Sequence, residues 1–263
     1  MTQPLIVLTT DFGLQDTYVG VMKGVISYYS PKCRIIDLTH HVRPQNILHG
    51  CYMLRVGFPY FPKNSIFLSV IDPGVGSERS AIAIKTADKI LVLPNNGLCS
   101  LVLRDYDIQE AVYLTNNKYH LNEVSSTFHG RDIFSPVAAH LANGVPLREL
   151  GATIEPKDIK RLELVKNTLD ANGTLETHII HIDHFGNCIT ALHLDAIQPT
   201  PYSRKTVIGN TEIPMISKTY TDVANGDPLA YFGSDGFLEI AIRNGNAAET
   251  LGIEIDMPVK ILA

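Results

Sequence analysis

Two of the most apolar runs in this 263-residue chain end in an acidic residue followed closely by glycine. Thr10-Asp11-Phe12-Gly13 follows Leu5–Thr9, and Asp72-Pro73-Gly74-Val75-Gly76 follows Ser65–Ile71. If these runs are strands of an open α/β sheet, ligands collect beyond their carboxyl ends, and both acids project into one crevice. Glycine at such a place permits a tight turn and close approach of backbone to ligand. Asp11 has two readings: a cap for the helix that follows, or a carboxylate gripping the hydroxyls of a ribose. Asp72 is equally open, because Asp-Pro-Gly is ordinary turn chemistry. Arg79, at the far end of the same glycine loop, gives Asp72 a partner of opposite charge. His129 lies in Phe128-His129-Gly130-Arg131-Asp132-Ile133, beside a glycine and two charges, just before a helical segment. Asp132 reads as a helix cap or as a catalytic acid, and Arg131 as its ion-pair partner.

A second constellation is Asp183-His184-Phe185-Gly186-Asn187. A plain hairpin turn explains its glycine and amide. A purine pocket is the other reading, with Phe185 stacking and Asn187 hydrogen-bonding to ring nitrogens. Asp183 would then hold a cationic ammonium. Tyr220 and the turn Phe232-Gly233-Ser234-Asp235-Gly236-Phe237 would complete the pocket. The remaining histidines point elsewhere. His40 and His41 follow a strand, with no carboxylate or histidine at a useful ligand spacing. His178, His181, His184 and His193 alternate with apolar residues and mark exposed strand faces. No HExxH spacing, Walker A sequence or GxGxxG turn occurs, which disfavours metal sites and phosphate-bearing cofactors. Asp11-Phe12-Gly13 stands without the other elements of a protein kinase.

The elements that must hold these residues alternate in the first part of the chain. Strands are expected at Leu5–Thr9, Arg34–Leu38, Ser65–Ile71, Ala81–Lys85 and Ile90–Leu93. Helices are expected at Tyr18–Tyr29, Gln45–Gly57, Leu98–Asp105 and Asp132–Ala142. This alternation implies an α/β domain with a mainly parallel sheet over residues 1–165. Lys166–Gly173 is polar and turn-rich, and is placed as the boundary. Residues 173–263 read as a small antiparallel β-barrel. Its strands are expected at Thr174–Ile182, Thr206–Ile208, Glu212–Ile213, Ala230–Phe232, Phe237–Ile242 and Val259–Leu262, with no helix between them. Gly209-Asn210 is a hairpin signal.

Composition narrows the classes. A net charge of −5 with scattered Lys and Arg argues against nucleic-acid binding. Four separated cysteines without a CxxC pair argue against a disulfide framework or zinc site and for a cytoplasmic setting. No apolar run reaches the roughly 20 residues needed to span a bilayer, and the start of the chain lacks a signal-peptide pattern.

Taken in order, Thr10-Asp11-Phe12-Gly13 with Tyr18-Val-Gly-Val-Met-Lys-Gly24, Asp72–Gly76 with Arg79, Pro94-Asn95-Asn96-Gly97, Phe128–Asp132 and Asp183–Asn187 resemble the S-adenosyl-L-methionine hydroxide adenosyltransferases. These are relatives of fluorinating and chlorinating enzymes that attack the same substrate. The resemblance runs through both halves of the chain. It implies an α/β domain, a β-barrel domain and a homotrimer with sites between subunits. It implies cleavage of S-adenosyl-L-methionine by water at the ribose 5′ carbon, giving adenosine and L-methionine without metal or further cofactor. Asp11 would bind the ribose hydroxyls, Phe185, Asn187 and Tyr220 the adenine, and Asp183 and Ser234 the methionine end. In the halogenating members an arginine follows the equivalent of Ser234, where this chain has Asp235. Asp72, Arg79 and His129 would order the water, whereas halogenases carry uncharged residues in place of Asp72 and His129. The alternatives are a halogenase, a non-catalytic sensor of S-adenosylmethionine or adenosine, and, more remotely, a metal-dependent phosphohydrolase.

Overall fold

In the computed structural model, Leu5–Thr10 (β1) is buried along its whole length, which accounts for the apolar run of its first four residues. Its side chains alternate between two cores. Ile6 and Leu8 pack with Met22, Ile26 and Val137 on one face of the sheet, while Leu5 and Val7 pack with Leu54 and Phe58 on the other. The structure describes residues 3–163, 168–169, 173–197 and 202–262. The chain divides into two compact units, Met1–Leu162 and Glu163–Ala263. Most of the boundary segment expected over Lys166–Gly173 lies outside the described residues.

In the first unit β1 is followed by α1 (Tyr18–Tyr29), β2 (Arg34–Thr39), α2 (Ile47–Gly57), β3 (Ile66–Val70), β4 (Ala81–Lys85), β5 (Ile90–Pro94), α3 (Val102–Asp105), β6 (Glu110–Tyr113) and α4 (Ser135–Ala142). The sheet order is β2-β1-β3-β5-β4-β6. β2, β1, β3 and β5 are parallel, and β4 runs antiparallel to both its neighbours. Thr9 pairs with Thr39 and Thr10 with Val70, so the strand ends that carry Asp11, His40 and Asp72 finish at one edge.

Two helical expectations change. Over Leu98–Asp105 only α3 is α-helical. Leu101 N–H goes to Cys51 Sγ at 3.2 Å instead of a helical carbonyl, and Ser100 Oγ bonds Gly97 O and Leu162 N. Over Asp132–Ala142 the α-helix begins at Ser135, behind a π-turn at Gly130–Phe134. Pro136 has no N–H for the Asp132 carbonyl, and Leu121 N takes that place at 2.9 Å. Ser135 closes the wider turn, its N–H and its Oγ (2.7 Å) both on Gly130 O. Edge strand β6 was not among the expected elements.

The second unit contains β7 (Thr168–Leu169), β8 (Leu175–Ile182), β9 (Cys188–His193), β10 (Lys205–Ile208), β11 (Thr211–Ile213), β12 (Ile216–Ser217), β13 (Pro228–Phe232), β14 (Phe237–Ile242), α5 (Ala247–Leu251) and β15 (Pro258–Leu262). Its order is β11-β10-β15-β8-β9-β14-β13-β12, with β7 against β8, and it forms a barrel-like, mostly antiparallel layer. Among the described residues of this unit, only the β12–β13 pair is parallel. Leu175, Ile179, Leu192, Ile240 and Val259 fill its core. The Gly209-Asn210 hairpin joins β10 to β11, and Gly209 takes the left-handed φ of +54° that the tight loop needs.

The structure adds β9 and contradicts the expectation that no helix interrupts these strands. Asn246 caps α5 by accepting from Glu249 N at 3.0 Å, and Gly252 ends it at φ +63°. His178 and His181 are buried rather than exposed, because β8 is an inner strand flanked by β15 and β9. His184 is exposed.

Candidate active site

The loop after β3 folds back on itself. Val75 N reaches Asp72 O at 3.2 Å, Ser77 caps Gly74 O, and Arg79 N returns to Ser77 Oγ at 3.2 Å. Gly76 sits at φ +78°, where a Cβ would strike the backbone carbonyl of Ser126. This geometry brings Arg79 back onto Asp72. Arg79 Nε donates to Asp72 Oδ1 at 3.0 Å and Nη2 to Oδ2, a bidentate pair with both side chains 5% exposed.

His129 joins the pair from the turn before α4, with Nδ1 3.0 Å from Arg79 Nη2. Guanidinium nitrogen only donates, so Nδ1 is the acceptor and the ring hydrogen is on Nε2. Burial and the Arg79 charge hold His129 below its ordinary 6.5, against the opposing pull of Asp72 and Asp132. The ring of Phe134 lies under the guanidinium, 5.4 Å from Cζ. Asp132 is fully buried and does not cap a helix. It accepts from Ser125 N at 2.8 Å and pairs with Arg131, which braces the loop that delivers His129.

Asp11 does not cap α1 either: the N-cap is Thr17, without a side-chain bond. Asp11 Oδ2 accepts from Gln45 N at 2.7 Å. Burial raises the Asp11 carboxyl above its ordinary 3.8; the Gln45 N–H opposes that rise and nearby Asp72 adds to it. Asp11, Phe12, Tyr18, Gln45 and Asp72 line a cavity of about 370 Å³. A second cavity, of about 170 Å³, shares Phe12, Tyr18, Asp72 and Val75 with it and adds Phe128 and His129. Phe12, Tyr18 and Phe128 pack edge-on or tilted at 5.3–5.9 Å and form an apolar wall beside the charged trio. A larger cavity, about 740 Å³, opens at the opposite end of the strands, beside Pro4, Arg34 and Ile66.

Sequence reasoning missed a supporting network at the Asp11 loop. His40 does have a carboxylate partner: its Nε2 lies 3.0 Å from Asp37 Oδ1, and Lys23 Nζ reaches Asp37 Oδ2 at 2.6 Å. Burial would raise the Asp37 carboxyl, but Lys23 and His40 bring it below its ordinary value. His40 Nδ1 is 2.8 Å from Thr10 Oγ1, which itself accepts from Phe12 N at 3.2 Å. Gly13 N donates to His40 O at 2.8 Å, so the strand-end loop is tied at both ends. The separation of Asp37 and His40 by three positions at the end of β2 was the available signal.

In the second unit, Asp183 Oδ1 accepts from Phe185 N and Asn187 N at 2.9 and 2.8 Å. Asn187 Nδ2 then donates to Asp183 Oδ2 at 2.9 Å and to Tyr220 OH at 3.3 Å. Phe185, 72% exposed, lines a cavity of about 540 Å³ with Asn187, Tyr220 and Arg243. Ser234 is exposed in the turn between β13 and β14. Among the described residues, no three His, Cys, Asp or Glu side chains are grouped to hold a metal ion.

Models of the SAM hydroxide adenosyltransferase N-terminal and C-terminal domains match residues 6–151 and 177–260. A protein of Salinispora tropica named (R)-S-adenosyl-L-methionine hydrolase is 38% identical over 251 residues, covering 95% of this chain and 94% of that protein. A protein of Actinopolyspora mzabensis named fluorinase is 25% identical, covering 99% and 97%. The crystal structure of an uncharacterized conserved protein from Thermotoga maritima superposes with a TM-score of 0.88 at 34% identity, covering 98% of this chain and all of that one. The chain belongs to the SAM hydroxide adenosyltransferase family.

Proposed function

We propose that this protein hydrolyses S-adenosyl-L-methionine to adenosine and L-methionine, with water attacking the ribose 5′ carbon. The observation that carries this reading is the buried Asp72–Arg79 pair, joined by half-buried His129, beside a cavity walled by Phe12, Tyr18 and Phe128. A relative at 38% identity that bears the hydrolase name supports it. The water oxygen forms a bond to the 5′ carbon as the carbon–sulfur bond breaks, and that electron pair stays on sulfur as a neutral thioether. The leaving group is already activated by its sulfonium charge, so the protein has mainly to align and desolvate one water.

His129 Nδ1 is committed to Arg79, so its Nε2–H would donate to the water oxygen and orient it. Asp72 would accept the departing proton, since each of its oxygens keeps a lone pair beyond the one Arg79 uses. Arg79 would stabilise hydroxide character as attack proceeds. A carboxylate that neutralises Arg79 disfavours a halide at this place. Asp11 is proposed to hold the ribose hydroxyls, Phe185, Asn187 and Tyr220 the adenine, and Asp183 and Ser234 the methionine end. Asp183 Oδ1 is spent on its own turn, and Oδ2, which among the described residues accepts only from the Asn187 amide, keeps a lone pair for the substrate ammonium. No cofactor is included in the proposal. It does include a cytoplasmic homotrimer with active sites between subunits. The four cysteines are free, and no helix among the described residues is long and apolar enough to cross a membrane.

The deciding experiment is cleavage of S-adenosylmethionine in water enriched in heavy oxygen. Adenosine carrying the heavy atom at the 5′ oxygen is the expected product. Intact substrate, or a 5′-halogenated product when chloride or fluoride is supplied, would overturn the reading.

A further inference from the structure

Glu239 begins a chain of hydrogen bonds that ends at the proposed adenine pocket. In the β13–β14 hairpin, Tyr231 and Glu239 stand opposite one another in register. Tyr231 OH donates to Glu239 Oε2, and Tyr220 OH is hydrogen-bonded to Tyr231 OH. Tyr220 OH in turn lies 3.3 Å from Asn187 Nδ2. Gly233 leaves the room for this, because a Cβ there would strike the Glu239 carboxylate.

The donor and acceptor inventory fixes the direction of every link. A carboxylate only accepts, so the Tyr231 hydrogen points to Glu239. The Tyr231 oxygen then accepts from Tyr220, and the Tyr220 oxygen accepts from the Asn187 amide. Asp183 Oδ2, also an acceptor, takes the other amide hydrogen at 2.9 Å. Both hydrogens of Asn187 are therefore spent inside the protein, and its carbonyl Oδ1 is the atom of that amide left for a ligand. The cavity beside it also offers Phe185 and Tyr220, exposed aromatic side chains suited to a flat ring.

We propose that Tyr231 and Glu239 are positioning residues that determine base specificity, by locking Asn187 as an acceptor for the exocyclic amino group of a 6-aminopurine. A 6-oxopurine would set carbonyl against carbonyl at that place. The inference rests on the reading that Asn187 meets the base, and it goes beyond it by naming the residues that set the amide's direction. Neither Tyr231 nor Glu239 touches substrate in this account. Their effect passes through Tyr220 and Asn187.

The test is calorimetric titration of the full chain with adenosine and with inosine, for the wild type, Tyr231→Phe and Glu239→Gln. The wild type should bind adenosine about 100-fold more tightly than inosine, the scale of one unsatisfied polar contact in a partly buried site. Each variant should narrow that ratio to about tenfold or less, mainly through weaker adenosine binding. With S-adenosylmethionine, KM should rise about tenfold while kcat changes less than about threefold. A variant that keeps the wild-type melting temperature and the full adenosine preference overturns the proposal. So does a wild type that binds both nucleosides equally or neither. If Tyr231→Phe does not fold, Glu239→Gln decides, because it keeps the shape of the side chain and replaces an acceptor-only oxygen with an amide that donates. Cleavage of S-adenosylmethionine with unaltered base preference in the variants would leave the hydrolase reading standing and remove this one. Base preference that narrows as described in a protein that does not cleave would do the reverse.

Discussion

Arg79 Nη2 and His129 Nδ1 lie 3.0 Å apart while the same guanidinium grips Asp72. This contact decides the protonation of the histidine. A hydrogen on Nδ1 would face a cation that has nothing to accept it with, so the ring is neutral and carries its hydrogen on Nε2. Nitrogen-detected NMR of the histidine rings should find this tautomer at neutral pH. The same contact gives the pH profile of turnover. The pKa of His129 lies below 6.5, so kcat should hold near neutrality and fall only at a pH below that value. A descending limb centred above 6.5 would show that His129 acts in its charged form. His129→Ala should lower kcat by roughly a hundredfold or more, with a smaller change in KM.

Asp72→Asn keeps the shape of the side chain and removes its charge. Arg79, buried to the same degree as Asp72, is then left uncompensated. Breaking a buried pair in this way costs about 3–5 kcal/mol, so a lowered melting temperature is expected alongside a loss in kcat of at least roughly a hundredfold. If kcat and substrate affinity were to fall equally, Asp72 would be a binding residue and not the proton acceptor.

Asp11 has a different expected signature. Its carboxylate is half-buried, touches the backbone of Gln45 and faces the cavity. Asp11→Asn should weaken adenosine binding by roughly tenfold to a hundredfold, the range for a hydrogen bond to a charged group. Adenosine affinity equal to that of the wild type would remove the ribose role.

His40 should act at one remove. Replacing it with alanine takes a partner from Thr10 and from Asp37 at once, and loosens the loop that holds Asp11. His40→Ala is expected to raise the dissociation constant for adenosine, and Asp37→Asn to do so more weakly. Cleavage kinetics should show the loss in KM before kcat. Equal losses in thermal stability with unchanged KM would mark the network as structural only.

What the sequence made legible was whatever depended on local pattern. The helix Tyr18–Tyr29 and the strand Phe237–Ile242 occupy the residues their periodicity indicates. Asp11 and Asp72 stand out because acids at the ends of apolar runs are unusual and are followed by glycine. Features made by pairing across the fold were not legible. The π-turn at Gly130–Phe134 depends on Leu121 N filling the place left by Pro136, a contact from a distant segment. His178 and His181 alternate like exposed residues, yet neighbouring strands cover them. Tyr231 and Glu239 were within reach, since both flank the recognised turn of one hairpin and its register sets them opposite each other.

Full or partial burial of five histidines makes the stability of the fold depend on pH. His49, His120, His129, His140 and His178 all have folded pKa values below 6.5, with burial as the main cause in each. Below 6.5 the unfolded chain therefore binds more protons than the folded one, and stability falls as pH falls. The stability these neutral rings allow is complete above 6.5 and is lost as pH drops toward each folded value. For His49, which is lowered to about 4, the loss reaches about 3 kcal/mol once the pH is below that value. The Arg43 charge works in the same direction as burial there. Melting temperatures measured from pH 8 down to pH 4 should start to decline near pH 6.5, well before the carboxylates titrate. His49→Gln should flatten the lower part of that decline. A melting temperature constant down to pH 4.5 would mean that these rings gain protons in the fold as readily as in the open chain, and that burial does not hold them neutral.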